Sequence, residues 1–124
     1  METIGVDIIE IKRIAVLVDK WSGKFTKRIF TTEELSYCFT KKFPAPSLAA
    51  RFAAKEAVLK AMGLGLGACK LKDIEVISHP SGKPELKLHE KAEEIAHSMG
   101  LVRWQISLSH SKSHAVAMVL AVGN

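Results

Sequence analysis

Two acidic residues stand where acids are costly. Asp7 lies inside the apolar run Ile4-Gly5-Val6-Asp7-Ile8-Ile9, and an aspartate is a poor strand former that is expensive to bury without a partner. Glu56 lies within Arg51-Phe52-Ala53-Ala54-Lys55-Glu56-Ala57-Val58-Leu59-Lys60. At helical spacing it shares a stripe with Phe52, Leu59, Lys60 and Gly63, so its carboxylate leaves a partly apolar face. Two carboxylates on different elements, with lysines nearby, suit a Mg²⁺–phosphate site. Mg²⁺ takes one or two carboxylates, keeps several waters and completes its shell from phosphate. Lys55 and Lys60 would neutralise the remaining phosphate charge, and the glycines of Gly63-Leu64-Gly65-Leu66-Gly67 would let backbone N–H groups approach it. The same residues allow a plainer account: a structural ion pair at Asp7 and an exposed Glu56–Lys60 helical pair. Periodicity permits Asp7 and Glu56 to meet without requiring it.

A third feature is Ser107-Leu108-Ser109-His110-Ser111, a strand end rich in hydroxyls with one histidine. Sequence neighbours on a strand face opposite ways, and no G-x-S-x-G elbow is present. Covalent serine catalysis is therefore disfavoured against phosphate binding by hydroxyl, imidazole and backbone N–H, or against serines that satisfy their own strand end. His79, His89, His97 and His114 fall in no ligand spacing and read as structural or exposed. Trp21 and Trp104 read as core or interface residues. Cys38 and Cys69 fit neither a metal-ligand nor a redox spacing.

The formal net charge is +5, and the excess is local. Between Lys20 and Lys55 stand Lys20, Lys24, Lys27, Arg28, Lys41, Lys42, Arg51 and Lys55, interrupted only by Glu33 and Glu34. Such a stretch attracts a nucleic acid, a phosphorylated ligand or an acidic protein. No RNP, KH or P-loop signature appears. A chain of 124 residues is the size of one domain and supports a core without disulfide staples. No run reaches the ~18 apolar residues of a membrane span, and Met1-Glu2-Thr3-Ile4 does not resemble a signal segment. With only two thiols, a cytoplasmic setting is expected.

The elements that must position these residues can be read from patterning. Thr3 to Ile9 alternates as a strand, with Ile4, Val6 and Ile8 on one face and Gly5, Asp7 and Ile9 on the other. Ile11, Ile14, Ala15 and Val18 then predict a helix to about Lys20. Thr31-Thr32-Glu33-Glu34 has the form of a capping box opening a short helix to about Phe39. Ser47 is the expected cap of an alanine-rich helix from Leu48 to Met62, ended by Gly63. Asp73–Ile77 and Glu85–Leu88 read as a hairpin around Pro80-Ser81-Gly82-Lys83-Pro84. Leu88, Ala92, Ile95, Ala96 and Met99 predict a helix ended by Gly100, and Trp104 to Ser109 a further strand. Ala115 to Val122 is apolar throughout, as a strand buried on both faces would be. The order β-α-α-α-β-β-α-β-β predicts one α+β domain over residues 1–124.

Three segments together resemble one family. Ile4-Gly5-Val6-Asp7, with Arg13 following, resembles its N-terminal G-x-D segment. Arg51-Phe52-Ala53-Ala54-Lys55-Glu56-Ala57, continuing to Lys60-Ala61, resembles its R-F-A-x-K-E-A-x-x-K-A core. Ser107-Leu108-Ser109-His110-Ser111, continuing to Ala115-Val116-Ala117, resembles its C-terminal strand pair. Phe30-Thr31-Thr32-Glu33-Glu34-Leu35 and Gly82-Lys83-Pro84 are weaker matches. The family is the holo-(acyl-carrier-protein) synthases, the short bacterial class of 4′-phosphopantetheinyl transferases.

The resemblance implies a mainly antiparallel sheet packed against helices, assembled as a homotrimer with sites between subunits. It implies that Asp7 and Glu56 hold Mg²⁺ against the diphosphate of coenzyme A, with Lys55 and Lys60 beside the phosphates and Gly63 near the pantetheine end. Arg51, Ser109, His110 and Ser111 would contact the nucleotide, and Gly82 and Pro84 would shape its adenine side. Arg13, Lys20, Lys24, Lys27 and Arg28 would receive an acidic acyl carrier protein. The implied reaction is attack of a carrier-protein serine on the β-phosphorus of coenzyme A, with 3′,5′-ADP leaving, in support of fatty acid biosynthesis. Asp7, Glu56 and Lys60 would be the catalytic residues, and the general base either Glu56 or a metal-bound water. No nucleic acid or membrane partner is implied. The other readings are a small basic nucleic-acid-binding module and a Mg²⁺-dependent nucleotide hydrolase.

Overall fold

The computed structural model describes the backbone of residues 1–124 and the side chains of residues 1–19 and 23–124. Along the chain run β1 (Glu2–Glu10), α1 (Ile11–Ile29), α2 (Thr32–Cys38), α3 (Ala45–Ala61), a 3₁₀ turn (Leu71–Asp73), β2 (Ile74–Ser78), β3 (Pro84–Leu88), α4 (Glu90–Ser98), β4 (Leu101–His110) and β5 (His114–Gly123). The order of strands and helices is the one expected from patterning. The result is an α+β domain with two antiparallel sheets, β1-β5-β4 and β2-β3.

Alternation along β1 and β5 builds the centre of the fold. Gly5 pairs with Val119, Asp7 with Ala117 and Ile9 with Ala115, so these residues share one face, and α3 covers that face. Ala53, Ala54, Ala57, Val58 and Ala61 of the helix and Ala115, Ala117, Val119 and Ala121 of β5 are buried. Small side chains on both surfaces let helix and sheet approach closely. A Cβ on Gly5 would land on the Ala57 carbonyl oxygen, so only glycine admits the helix at this depth. Thr3 Oγ1 donates to the Ala61 carbonyl at 2.7 Å and ties the end of α3 to the start of β1.

Two boundaries and one burial pattern differ from the sequence reading. Helix α1 continues past Lys20 to Ile29, because Phe25 and Ile29 resume the apolar stripe and pack on the core. That packing outweighs the ~1 kcal/mol cost of Gly23 in a helix interior. Lys20 and Trp21 lie outside the described side chains. Helix α3 is capped at Pro44 rather than Ser47 and carries Pro46 in its first turn. Proline is tolerated there because the first-turn N–H groups have no helical acceptor. Strand β5 is buried on one face only: its odd-numbered residues from Ala115 to Ala121 are inside, while His114 and Met118 are exposed. Among the described residues no helix covers its second face. On that face Ile4, Val6 and Ile8 of β1 are also exposed.

The end of α3 follows the Schellman pattern. Leu64 N–H donates to the Leu59 carbonyl at 2.8 Å and Gly63 N–H to the Lys60 carbonyl at 3.0 Å. Gly63 has φ +71°, a region that glycine enters without steric cost. The capping box of α2 forms as read, with the Thr31 side chain accepting from Glu34 N–H and Glu34 from Thr31 N–H. Among the described residues no helix is long and apolar enough to cross a membrane.

Candidate active site

The close contact of β1 and α3 decides where the two acids go. Asp7 is two residues beyond Gly5 on the covered face of β1, and Glu56 is next to Ala57 on the helix that Gly5 admits. Asp7 and Glu56 line one cavity of about 260 Å³, together with Arg13, Phe52, Leu17 and Leu66. The acids act on one another there. The Glu56 carboxyl is pushed above its ordinary range, first by burial and then by the negative charge of Asp7, while Lys60 and Arg13 pull the other way.

Lys60 lies one helical turn beyond Glu56, as the spacing requires. Its Nζ donates to Asp7 Oδ1 at 2.9 Å and to the Val6 carbonyl at 3.2 Å. Among the described residues no group of three or more His, Cys, Asp and Glu side chains could hold a metal alone. Two mutually repelling carboxylates with open space between flanking elements fit a cation that takes its remaining ligands from water or phosphate.

Lys55, expected beside the phosphates, is turned into the core. It precedes Glu56 by one residue, about 100° around the helix, and is fully buried. Its Nζ donates to Glu34 Oε1 at 2.8 Å and to the Leu71 carbonyl at 3.1 Å, and also to the Ile74 carbonyl. Burial pushes the ammonium pKa down, and the Glu34 charge and hydrogen bond pull it back up. Glu34 also accepts from Val76 N–H at 2.9 Å. Lys55 thus fastens α2, α3 and β2 together, a role that the spacing of the core segment did not distinguish from ligand binding.

Arg51 is also buried. It donates to the Ser47 carbonyl at 3.2 Å and to Ser78 Oγ, and its guanidinium lies over the Tyr37 ring at 4.5 Å. Its Nε is the one buried side-chain polar atom without a partner among the described residues. Arg51 therefore stands beside the end of β2, away from the acidic cavity.

The remaining expected contacts occupy two other places. Pro84 lines a second cavity of about 360 Å³ with His79, Lys83, Trp104 and Ile106, and Gly82 closes the adjoining turn with φ +89°. Ser109, His110 and Ser111 are exposed at the end of β4. The turn after them is fixed by Ser111 N–H donating to the His114 carbonyl at 2.8 Å, and it meets α1 where Ile11 N–H donates to the Ser113 carbonyl. Neither group lines the cavity of Asp7 and Glu56.

On α1, Lys24, Lys27 and Arg28 are exposed. Arg13, grouped with them in the sequence, instead lines the acidic cavity. The signal for this was its place in the first turn of the helix that directly follows β1.

Comparison with known proteins bears on this arrangement as a whole. The sequence model of the 4′-phosphopantetheinyl transferase superfamily matches residues 3–119. A holo-(acyl-carrier-protein) synthase of Syntrophus aciditrophicus is 45% identical over 120 residues, covering 96% of this chain and 94% of the relative. One of Alkaliphilus metalliredigens is 49% identical, covering 95% and 96%. The crystal structure of the Neisseria meningitidis synthase superposes with a TM-score of 0.86 at 36% identity, covering 97% of each chain. The Helicobacter pylori synthase in complex with coenzyme A gives 0.85 at 31% identity, covering 96% and 99%. Because the match runs from β1 through β5 in sequence and in structure alike, this chain belongs to the 4′-phosphopantetheinyl transferase superfamily.

Proposed function

We propose that this protein is a holo-(acyl-carrier-protein) synthase of the cytoplasm. It moves the 4′-phosphopantetheine group of coenzyme A onto a serine of apo acyl carrier protein and releases adenosine 3′,5′-bisphosphate. One observation carries the reading: Asp7 and Glu56 share a cavity, and Lys60 is bonded to Asp7.

In the reaction, the O–P bond between the carrier serine and the β-phosphorus forms as the bond to the leaving 3′,5′-ADP breaks. The serine proton goes to a base, and Glu56, whose carboxylate lines the cavity, is this chain's candidate for that role. Asp7 and Glu56 are the residues that would hold Mg²⁺, which when bound offsets charge on the phosphoryl oxygens. Lys60 is mobile enough on its stem to meet a phosphate oxygen. Gly63, exposed at the end of α3, lets backbone come close to the ligand. Little covalent work falls to the protein, so positioning and charge are its main contributions.

The homotrimer is proposed on the apolar face left open by the sheet. Ile4, Val6, Ile8 and Met118 are exposed side by side across β1 and β5, and a contiguous apolar patch of this kind marks an interaction surface. Association there would bring Gly82, Pro84, Ser109, His110 and Ser111 to nucleotide sites between subunits. Lys24, Lys27 and Arg28 would receive the acidic carrier protein through complementary charge.

Mass spectrometry tests the activity directly. Apo acyl carrier protein incubated with this protein, coenzyme A and Mg²⁺ should gain one phosphopantetheine on serine, and a carrier of unchanged mass would overturn the assignment. Sedimentation should give a trimer that Val6→Glu dissociates.

A further inference from the structure

The bond between Lys60 and Asp7 is the feature that the reaction alone does not explain. The Lys60 ammonium lies at 2.9 Å from the carboxylate expected to take the metal, and the Val6 carbonyl holds it there at 3.2 Å. The Lys60 side chain is 54% exposed and that of Asp7 only 17%. The lysine therefore reaches the acid from the solvent side. An ion pair so exposed is weak and readily broken, and a flexible stem lets the charge move without disturbing α3.

We propose that Lys60 is a built-in stand-in cation: its ammonium and a divalent ion compete for Asp7, and the ion binds well only when a diphosphate ligand draws Lys60 away. The inference rests on the metal assignment made above. Without ligand, Lys60 offsets the Asp7 charge and opposes an incoming ion by repulsion. With coenzyme A present, the phosphate oxygens offer Lys60 a better partner and Asp7 is freed. The two ligands then assist each other by the same factor, as linkage requires. Metal alone would not lock the site, and coenzyme A would arrive at a cavity whose charge is already balanced.

The test measures binding, not turnover. Free Mn²⁺ is followed by electron paramagnetic resonance in titrations of the wild-type protein, Lys60→Met, Arg13→Met and Asp7→Asn, each with and without coenzyme A. Lys60→Met should bind Mn²⁺ alone about fivefold more tightly than wild type, the scale of an exposed ion pair. Arg13→Met removes a like charge, one that lines the cavity and acts on Glu56 without a bond to Asp7, and should gain less than about twofold. Coenzyme A should raise Mn²⁺ affinity more in the wild type than in Lys60→Met. Unchanged or weaker binding by Lys60→Met, or an equal gain in Arg13→Met, would overturn the competition. Mn²⁺ binding that survives in Asp7→Asn would overturn the metal assignment itself, and the competition with it.

Discussion

Gly5 of β1 lies directly beneath the Ala57 carbonyl of α3, with no room between them for a methyl group. This contact sets the depth at which α3 sits on the sheet, and thereby the approach of Glu56 to Asp7. Gly5→Ala must push backbone away from backbone, which side-chain rotation cannot relieve. We expect a loss of about 1–3 kcal/mol, the range of overpacked cores, read from urea denaturation. The transfer rate should fall further than that of a core variant of equal stability placed away from β1, such as Ala92→Gly.

Glu56 tests the separation of function from stability. Its folded pKa is raised, so the ionised form is disfavoured in the folded protein, and at neutral pH the charge is a destabilising element when no cation is present. Glu56→Gln should therefore raise the Tm of metal-free protein while abolishing phosphopantetheine transfer. The gain should shrink as pH falls through the folded value and be lost below 4.5, where the carboxyl is protonated in folded and unfolded chains alike. A variant that keeps full activity would remove Glu56 from the site.

Lys55 and Glu34 give the opposite pattern. Both are fully buried, and removing Lys55 strands the Glu34 charge together with two backbone carbonyls. Lys55→Met should cost about 3–5 kcal/mol, and the double variant Lys55→Met/Glu34→Gln should recover part of it. Denaturant midpoints of the four proteins in this cycle give the coupling. Additive losses would mean that the pair does not act as a unit.

The basic face of α1 should act on encounter. Lys24→Glu together with Arg28→Glu reverses two exposed charges that have no part in the core. The apparent KM for acyl carrier protein should rise about tenfold or more at low salt with little change in Tm. The difference from wild type should shrink as ionic strength shortens the reach of the charges. An unchanged KM would place the carrier elsewhere.

Much of this was legible from residue order because local patterning and tertiary packing agree. The period of two in β1, the capping box at Thr31 and the alanine-rich run of α3 each specify an element without reference to the rest. Asp7 and Glu56 were legible as anomalies, acids on faces that should be apolar. What the pattern lacked was phase between elements. Lys55 and Glu56 are neighbours in sequence, yet one enters the core and the other the cavity, and only the burial of Ala53, Ala57 and Leu59 decides which. The same holds for Glu34, which patterning shows as a cap but not as the buried partner of Lys55. For α1, the spacing read from Ile11 to Val18 stopped short of Phe25 and Ile29, the later apolar residues that carry the helix on to Ile29.

Glu75 supplies a pH signature of the layer behind the site. Burial works to raise its pKa, but Thr31 Oγ1 donates to it at 2.6 Å, His89 Nε2 lies 2.9 Å from its other oxygen, and the charges of His89 and Lys55 add to these. The net result is a carboxyl held below its ordinary 4.5. A depressed carboxyl contributes stability that is fully present above 4.5 and is lost as pH falls through the folded value. Wild type should therefore exceed Glu75→Gln in stability at neutral pH, and the gap should close as pH is lowered from about 4.5 toward 3. Urea midpoints of the two proteins at half-unit intervals measure the gap. A gap that stays constant down to pH 3 would mean that the carboxylate charge is not what links Thr31 to His89.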